Sequence, residues 1–273
     1  MLRLAVRVKR EQAELVLAEL LELAPGGVEE VSLPESVIEY AIYGAPGELP
    51  SLPDVTAAAA GALVEVRTTE LADGWAERWR EFHQPVVIGD VITVRPPWEP
   101  PDTSSIDLVI DPGQAFGTGA HPTTHLCLEL MLALKGEGTF LDLGCGSGVL
   151  AIAASKLGWA PVLAVDIDPL SLEASAENAQ RNGVDLEIRG HDLRRDPPPA
   201  TKTVAANLLR PLLLDYAKSL AGSPGLRQLI ASGLLRHECD EVSAAFAAGG
   251  LVEAERRGRG DWGAILLVSE QRL

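Results

Sequence analysis

The segment Leu141-Asp142-Leu143-Gly144-Cys145-Gly146-Ser147-Gly148 sets three glycines at alternate positions directly after an apolar run that contains a carboxylate. Glycines so placed remove the Cβ where a backbone must bend sharply and come close to a ligand. The spacing is G-x-G-x-G, and Val149 stands where the dinucleotide fingerprint requires its third glycine, which argues against a nicotinamide cofactor. Asp142 would repel a pyrophosphate and is read as aimed toward the ligand side, where it suits an ammonium group. Asp166 closes the next apolar run, Ala164-Val165-Asp166, at the distance where an acidic side chain accepts both hydroxyls of a ribose. Asp192, in Gly190-His191-Asp192, follows a third run and could accept from an adenine amino group. Each aspartate alone could equally cap a turn or a helix. Their recurrence after successive strand-like runs, around one glycine turn, suits S-adenosylmethionine, with S-adenosylhomocysteine as the product.

A fourth run ends in Ala206-Asn207-Leu208-Leu209. Asn207 would stand at the carboxyl end of a strand, where its amide oxygen could accept from an amine and aim the nitrogen lone pair, or else cap the helix that follows. Upstream, Asp111 to Thr124 is a glycine-rich loop entering a helix over Thr124 to Leu134. The hydroxyls of Thr123 and Thr124 could reach a cofactor carboxylate or cap that helix. His121 and His125 have the spacing of a helical metal pair, but Pro122 lies between them and no third ligand is apparent, so no metal is expected.

These residues need a scaffold that lines up several strand ends. From about Asp107 onward, apolar runs at Phe140–Leu143, Val162–Val165, Leu186–Arg189, Thr203–Ala206 and Leu229–Ser232 alternate with helical patterns, as in a parallel sheet covered on both faces. Leu251–Arg257 and Ala264–Ser269, joined by the turn-rich Gly258 to Gly263, read as an antiparallel hairpin on its edge. At the other end, Leu2 to Val8 alternates as a half-buried strand, and Ala13 to Ala24 repeats at helical spacing. Val28–Leu33 and Ser36–Tyr43 read as strands, Val55–Ala62 as alanine-rich, and Leu63–Thr68 as a last strand. That is a β-α-β-β-α-β unit. The expected organisation is therefore a small α+β recognition domain over 1–68, a linker over 69–90 with a helix at Asp73–His83 and a turn at Gln84–Asp90, and the larger α/β domain over 91–273.

The formal net charge of −16 disfavours a phosphate-backbone substrate and suits a cationic partner, though acidity alone also keeps a protein soluble. Cys127, Cys145 and Cys239 are unpaired in spacing and read as reduced thiols. No apolar run reaches the ~18–20 residues of a membrane span and no signal peptide is evident, so a cytoplasmic protein is expected, and it is read as a monomer.

The motifs Asp111–Thr124, Leu141–Leu150, Asp166-Ile167-Asp168-Pro169 with Asn178-Ala179, Ala206–Leu209 and the segment Trp75–Gly89 together resemble the methyltransferases that modify the eleventh protein of the large ribosomal subunit. The resemblance covers roughly residues 70 to 273 and implies a Rossmann-like class I methyltransferase domain, with a mostly parallel seven-stranded sheet, behind a ferredoxin-like domain that docks the ribosomal protein. It implies cofactor contacts at Thr124, Gly144, Asp166 and Asn207, to which the residue reading adds Thr123, Asp142, Gly146 and Asp192. Asn207 would also sit near the acceptor nitrogen. The expected activity is methylation of lysine side-chain amines and of the N-terminal α-amino group. A nucleic-acid or small-molecule N-methyltransferase of the same fold is the alternative. Leu208 and Leu209 stand where a base-modifying enzyme would offer a stacking aromatic.

Overall fold

The alternation of Leu4, Val6 and Val8 with Arg3, Ala5 and Arg7 becomes a strand whose two faces have different fates. In the computed structural model, which describes residues 2–24, 28–32, 36–44, 49–70, 83–111, 119–220 and 225–269, this is β1 (Leu2–Lys9). It is followed by α1 (Ala13–Leu23), β2 (Glu29–Ser32), β3 (Val37–Gly44), α2 (Leu52–Ala59) and β4 (Leu63–Glu70). The strands form an antiparallel sheet in the order β2-β3-β1-β4, the ferredoxin-like arrangement expected from the sequence. Leu4, Val6, Val8, Ile38, Tyr40 and Ile42 join Val16, Leu20 and Val55 of the helices in one core. Tyr40 Oη donates to the Ala13 carbonyl at 2.9 Å, so the buried phenol is satisfied. On the opposite sheet face Glu39, itself buried, pairs with both Arg3 and Arg7.

The chain divides into two compact units, and the described residues from His83 onward belong to the second. It opens with a three-stranded sheet of β5 (Val86–Ile88), β6 (Ile92–Arg95) and β7 (Ile106–Val109). The turn expected over Gln84–Asp90 is confined to Gly89, Asp90 and Val91, the first two at positive φ, with Val91 N donating to Ile88 O. Three apolar residues before it were enough for a strand because β6 supplies the pairing. The helix expected at Asp73–His83, with Trp75, Trp79 and Phe82, lies outside the described residues except for His83.

Among the described residues, five α-helices and seven strands follow: α3 (Pro122–Leu132), β8 (Phe140–Leu143), α4 (Val149–Lys156), β9 (Val162–Asp166), α5 (Pro169–Asn182), β10 (Glu187–Gly190), β11 (Thr203–Asn207), α6 (Arg210–Ser219), β12 (Gln228–Leu235), α7 (Cys239–Ala247), β13 (Leu251–Arg259) and β14 (Trp262–Ser269). The sheet runs β10-β9-β8-β11-β12-β14-β13, with β14 antiparallel to β12. The hairpin is tighter than read, because pairing continues to Arg259 opposite Trp262 and leaves Gly260-Asp261 as the turn. Gly263 is explained by its neighbour: a Cβ there would lie 2.5 Å from Cys239 Sγ.

Every residue of β8 is buried, and the two faces feed separate cores. Phe140 packs with residues of α3 and α4, including Leu126, Leu130 and Ile152, while Leu141 and Leu143 pack with Leu213, Tyr216 and Phe246 from α6 and α7. Connections from β8 proceed to β9 and β10 on one side, then return to β11 and β12 on the other. The reversal between β8 and β11 is a topological switch point, where α/β sheets form ligand crevices at the carboxyl ends of their strands.

Candidate functional site

The glycine turn after β8 has Gly144, Gly146 and Gly148 at φ 81°, 50° and 79°, all in the region that side chains avoid. It is tied down by its neighbours. Gly144 N and Cys145 N donate to Val165 O, and Gly146 N donates to Asp166 Oδ2 at 3.0 Å. Ser175 of α5 donates its hydroxyl to Gly146 O at 2.9 Å, and a Cβ on Gly148 would meet that hydroxyl oxygen at 2.9 Å. Gly148 is therefore required as much by packing against α5 as by the turn itself.

Asp166 ends β9 with each carboxylate oxygen accepting one backbone N–H, from Gly146 and from Asp168. Each oxygen keeps capacity for a further donor. Asp192 lies just past β10, whose Gly190 is in register with Asp166. One of its oxygens accepts from Arg194 N, and the other lies 3.2 Å from Arg195 Nε. Asp166 and Asp192 thus follow neighbouring strand ends, as the sequence predicts.

Asp142 differs from its expected placement. It is 0% exposed, behind the glycine turn instead of at its mouth. One oxygen accepts from Ala151 N at 2.9 Å in the first turn of α4, and Oδ1 has no hydrogen-bond partner among the described residues. Alternation explains this: with the strand covered on both faces, a side chain one residue before its end points into packed protein. Burial pushes the carboxyl up to about 7, with the Ala151 N–H opposing the rise and the Asp166 charge adding to it.

Across the switch point, Asn207 ends β11 and its Nδ2 donates to Thr124 Oγ1 at 3.4 Å. Two residues far apart in sequence are thereby brought together, and the Asn207 amide oxygen is left without a protein partner among the described residues. Leu208 links this pair to the glycine turn: a Cβ on Gly144 would meet its Cδ2 at 2.5 Å. Its backbone is held from the other side, with Leu208 N donating to Ser232 O and Gly233, at φ 84°, pressed against the Leu208 carbonyl.

Thr123 and Thr124 are both buried in the first turn of α3, which begins two residues before the predicted start. Ser232 Oγ donates to Thr123 O at 3.1 Å. The Thr123 hydroxyl lies 2.8 Å from His121 Nδ1, whose ring caps the helix and meets Trp262 edge to face. Burial lowers the His121 pKa to about 4, so it caps as a neutral ring. Arg259 Nη1 lies 2.9 Å from Nε2 of His125, and Glu129 approaches Nδ1 at 3.2 Å. Burial and then the Arg259 charge lower the His125 pKa. The loop residues 112–118 lie outside the described residues.

Several contributors were given no site role by the sequence. Asn178 and Asn182, four apart on α5, staple that helix to the end of β7: Asn182 bonds both backbone groups of Val109, and Asn178 Oδ1 accepts from Asp111 N while its Nδ2 donates to Ser147 O. Their helical spacing was the available clue. Gly233 and Ser232 sit where the β12–β14 register shifts, and a glycine inside a strand pattern is the mark of such a bulge.

A chain of contacts thus runs from Thr124 through Asn207 and Leu208 to Gly144, Gly146 and Asp166, with Asp192 beside it. The donor set fits S-adenosylmethionine in kind: carboxylates with spare acceptor capacity at the ends of β9 and β10, a hydroxyl and an amide at the end of β11, and between them a bent backbone free of side chains.

Comparison with known proteins gives the same direction. The model of the family described as ribosomal protein L11 methyltransferase (PrmA) matches residues 51–270. The chain is 36% identical to a ribosomal protein L11 methyltransferase of Pelotomaculum thermopropionicum, over 97% of each chain. It is 40% identical to one from Geobacter metallireducens, over 75% of this chain and 69% of the relative. Among solved structures, the ribosomal protein L11 methylase of Lactobacillus delbrueckii subsp. bulgaricus superposes with a TM-score of 0.62 at 29% identity, covering 68% of this chain and 99% of the other.

Proposed function

The chain belongs to the ribosomal protein L11 methyltransferase family, and on that premise we propose that it carries methyl groups to lysine side-chain amines, and to the N-terminal α-amino group, of that ribosomal protein. It is an S-adenosylmethionine-dependent enzyme. The observation that carries the site assignment is the contact of Thr124 with Asn207 at the switch point, reached from Gly144 through Leu208.

Thr124 and the glycine turn would hold the methionyl part of the cofactor, Asp166 the ribose and Asp192 the adenine edge. Asp142, being buried, shapes the turn through Ala151 and acts on a bound ammonium through its field. When bound, S-adenosylmethionine supplies an electrophilic methyl group on a positively charged sulfur. The protein's task is then to present a neutral amine in line. A lysine of pKa about 10.4 costs about 4–5 kcal/mol to deprotonate at pH 7, and an α-amino group near 8 only about 1. A dry site beside a positive charge lowers either pKa. Asn207, its Nδ2 turned to Thr124, offers its amide oxygen to an N–H of the incoming amine and so aims the lone pair. No side chain of the described site stands out as a general base.

No helix among the described residues is long and apolar enough to cross a membrane. Buried free cysteines support a cytoplasmic location, and the acidic charge supports an enzyme without nucleic-acid specificity. The test is transfer of label from S-adenosylmethionine to unmethylated ribosomal protein L11, with and without Asn207→Ala. The wild type is expected to label that protein, and the variant to lose about 100-fold in turnover while binding S-adenosylhomocysteine within about threefold of it. Labelling of RNA alone, or undiminished transfer by the variant, would contradict the assignment.

A further inference from the structure

At the opposite end of the central strands of the seven-stranded sheet, where β8, β11 and β12 begin, lies a cavity of ≈ 460 Å³ lined by Lys135, Gly138, Lys202, Arg227 and Gln228. Three strand entries are knitted together to make it. Arg227 N and Gln228 N both donate to Lys202 O, and Lys202 N donates to Thr139 Oγ1 at 2.9 Å. Gly138, at φ 79°, lets the Lys202 side chain lie across it: a Cβ there would meet Lys202 Cδ at 3.2 Å and Nζ at 3.6 Å. Lys135 follows the carbonyl end of α3 and offsets its partial negative charge.

The chain has 39 acidic residues against 23 basic ones, so carboxylates are numerous enough to pair with every cation. Yet Lys135, Lys202 and Arg227 have no carboxylate within ion-pair distance among the described residues. Glu137 also lines the cavity and cancels one of the three charges, leaving a net positive site. A volume of this size is that of a small-molecule site. A long polyanion would feel the charge of −16 over the whole surface, whereas a small one, within a Debye length of about 8 Å, feels chiefly the local cations.

We propose that this cavity binds a phosphate-bearing small molecule, a monophosphate or diphosphate, at a site separate from the glycine turn because the two lie at opposite ends of the same strands. Calorimetric titration of the full chain with inorganic pyrophosphate and with inorganic phosphate tests it. Saturable one-to-one binding of at least one of them is expected, weakened at least about tenfold in the Lys202→Ala/Arg227→Ala double variant, whose main-chain bonds are retained. The melting temperature of that variant is expected to match the parent's. Lys135→Ala, an exposed change past a helix end, is the second variant should the double one fold poorly, with at least about a threefold loss expected. No saturable binding, or binding unchanged in these variants, would overturn the proposal. So would an RNA oligonucleotide that displaces pyrophosphate at lower concentration and loses its own affinity in the same variants.

Discussion

Asp142 has two carboxylate oxygens and a single backbone partner, and its full enclosure raises its carboxyl toward neutral pH. Its carboxyl is raised from 3.8 to about 7 in the folded chain. A carboxyl raised on folding contributes stability that is complete below its unfolded value and is lost as pH climbs through the folded one. The stability of Asp142→Asn relative to wild type is therefore expected to grow between pH 4 and pH 8, by up to about 4 kcal/mol, in urea unfolding series. A gap between the two proteins that stays constant with pH would show that this carboxyl does not titrate in that window. The same residue marks a limit of sequence reading. Its position before the glycines was legible, but its side-chain direction depends on both faces of β8 being covered, which a strand pattern does not reveal residue by residue. Asp166, Asp192, Thr124 and Asn207 were easier, because strand ends and helix starts are the places where polar residues interrupt apolar runs.

At the scale of elements, the glycine turn and the Asn207 loop are held as a pair by Leu208, squeezed between Gly144 and Gly233. The two glycines face different atoms. A methyl on Gly144 meets the end of the Leu208 side chain at 2.5 Å, which can rotate, whereas one on Gly233 meets the Leu208 carbonyl oxygen at 2.4 Å, which cannot move without β11. Both also sit at positive φ. Gly233→Ala is expected to cost about 3 kcal/mol and Gly144→Ala about 1–2, by denaturant unfolding. Equal costs would mean that Leu208 is not the wedge between the loops. The strands β8, β9, β11 and β12 of the large sheet were legible because each is a largely apolar run between turn signals, and β13 because the turn-rich Gly258 to Gly263 ends it. Of the sheet of β5, β6 and β7 only β6 was legible, as a strand over Val91–Arg95 ended by Pro96-Pro97: Val86–Ile88 is three residues long, and Ile106–Val109 follows a proline- and serine-rich stretch, so pairing across β6 defines those two.

At the scale of the whole molecule, each of the two units has its own buried core, which is the condition for separate folding. The N-terminal unit holds none of the residues assigned to the cofactor, and its place in the proposal is to dock the protein substrate. A chain beginning at His83 is expected to bind S-adenosylhomocysteine within about threefold of the full protein and to lose at least about tenfold in kcat/KM toward ribosomal protein L11. Undiminished kcat/KM would remove the docking role. The large unit bears the central claim, that the strand ends around the switch point form an adenosyl cofactor site. Isothermal titration of the full chain with S-adenosylhomocysteine, beside the Asp166→Ala variant and a parallel titration with a nicotinamide dinucleotide, tests that claim most directly. One-site binding of S-adenosylhomocysteine, weakened at least about tenfold by the variant, with no heat from the dinucleotide, is expected. Binding of the dinucleotide with none of S-adenosylhomocysteine, or equal affinity of variant and wild type, would contradict it.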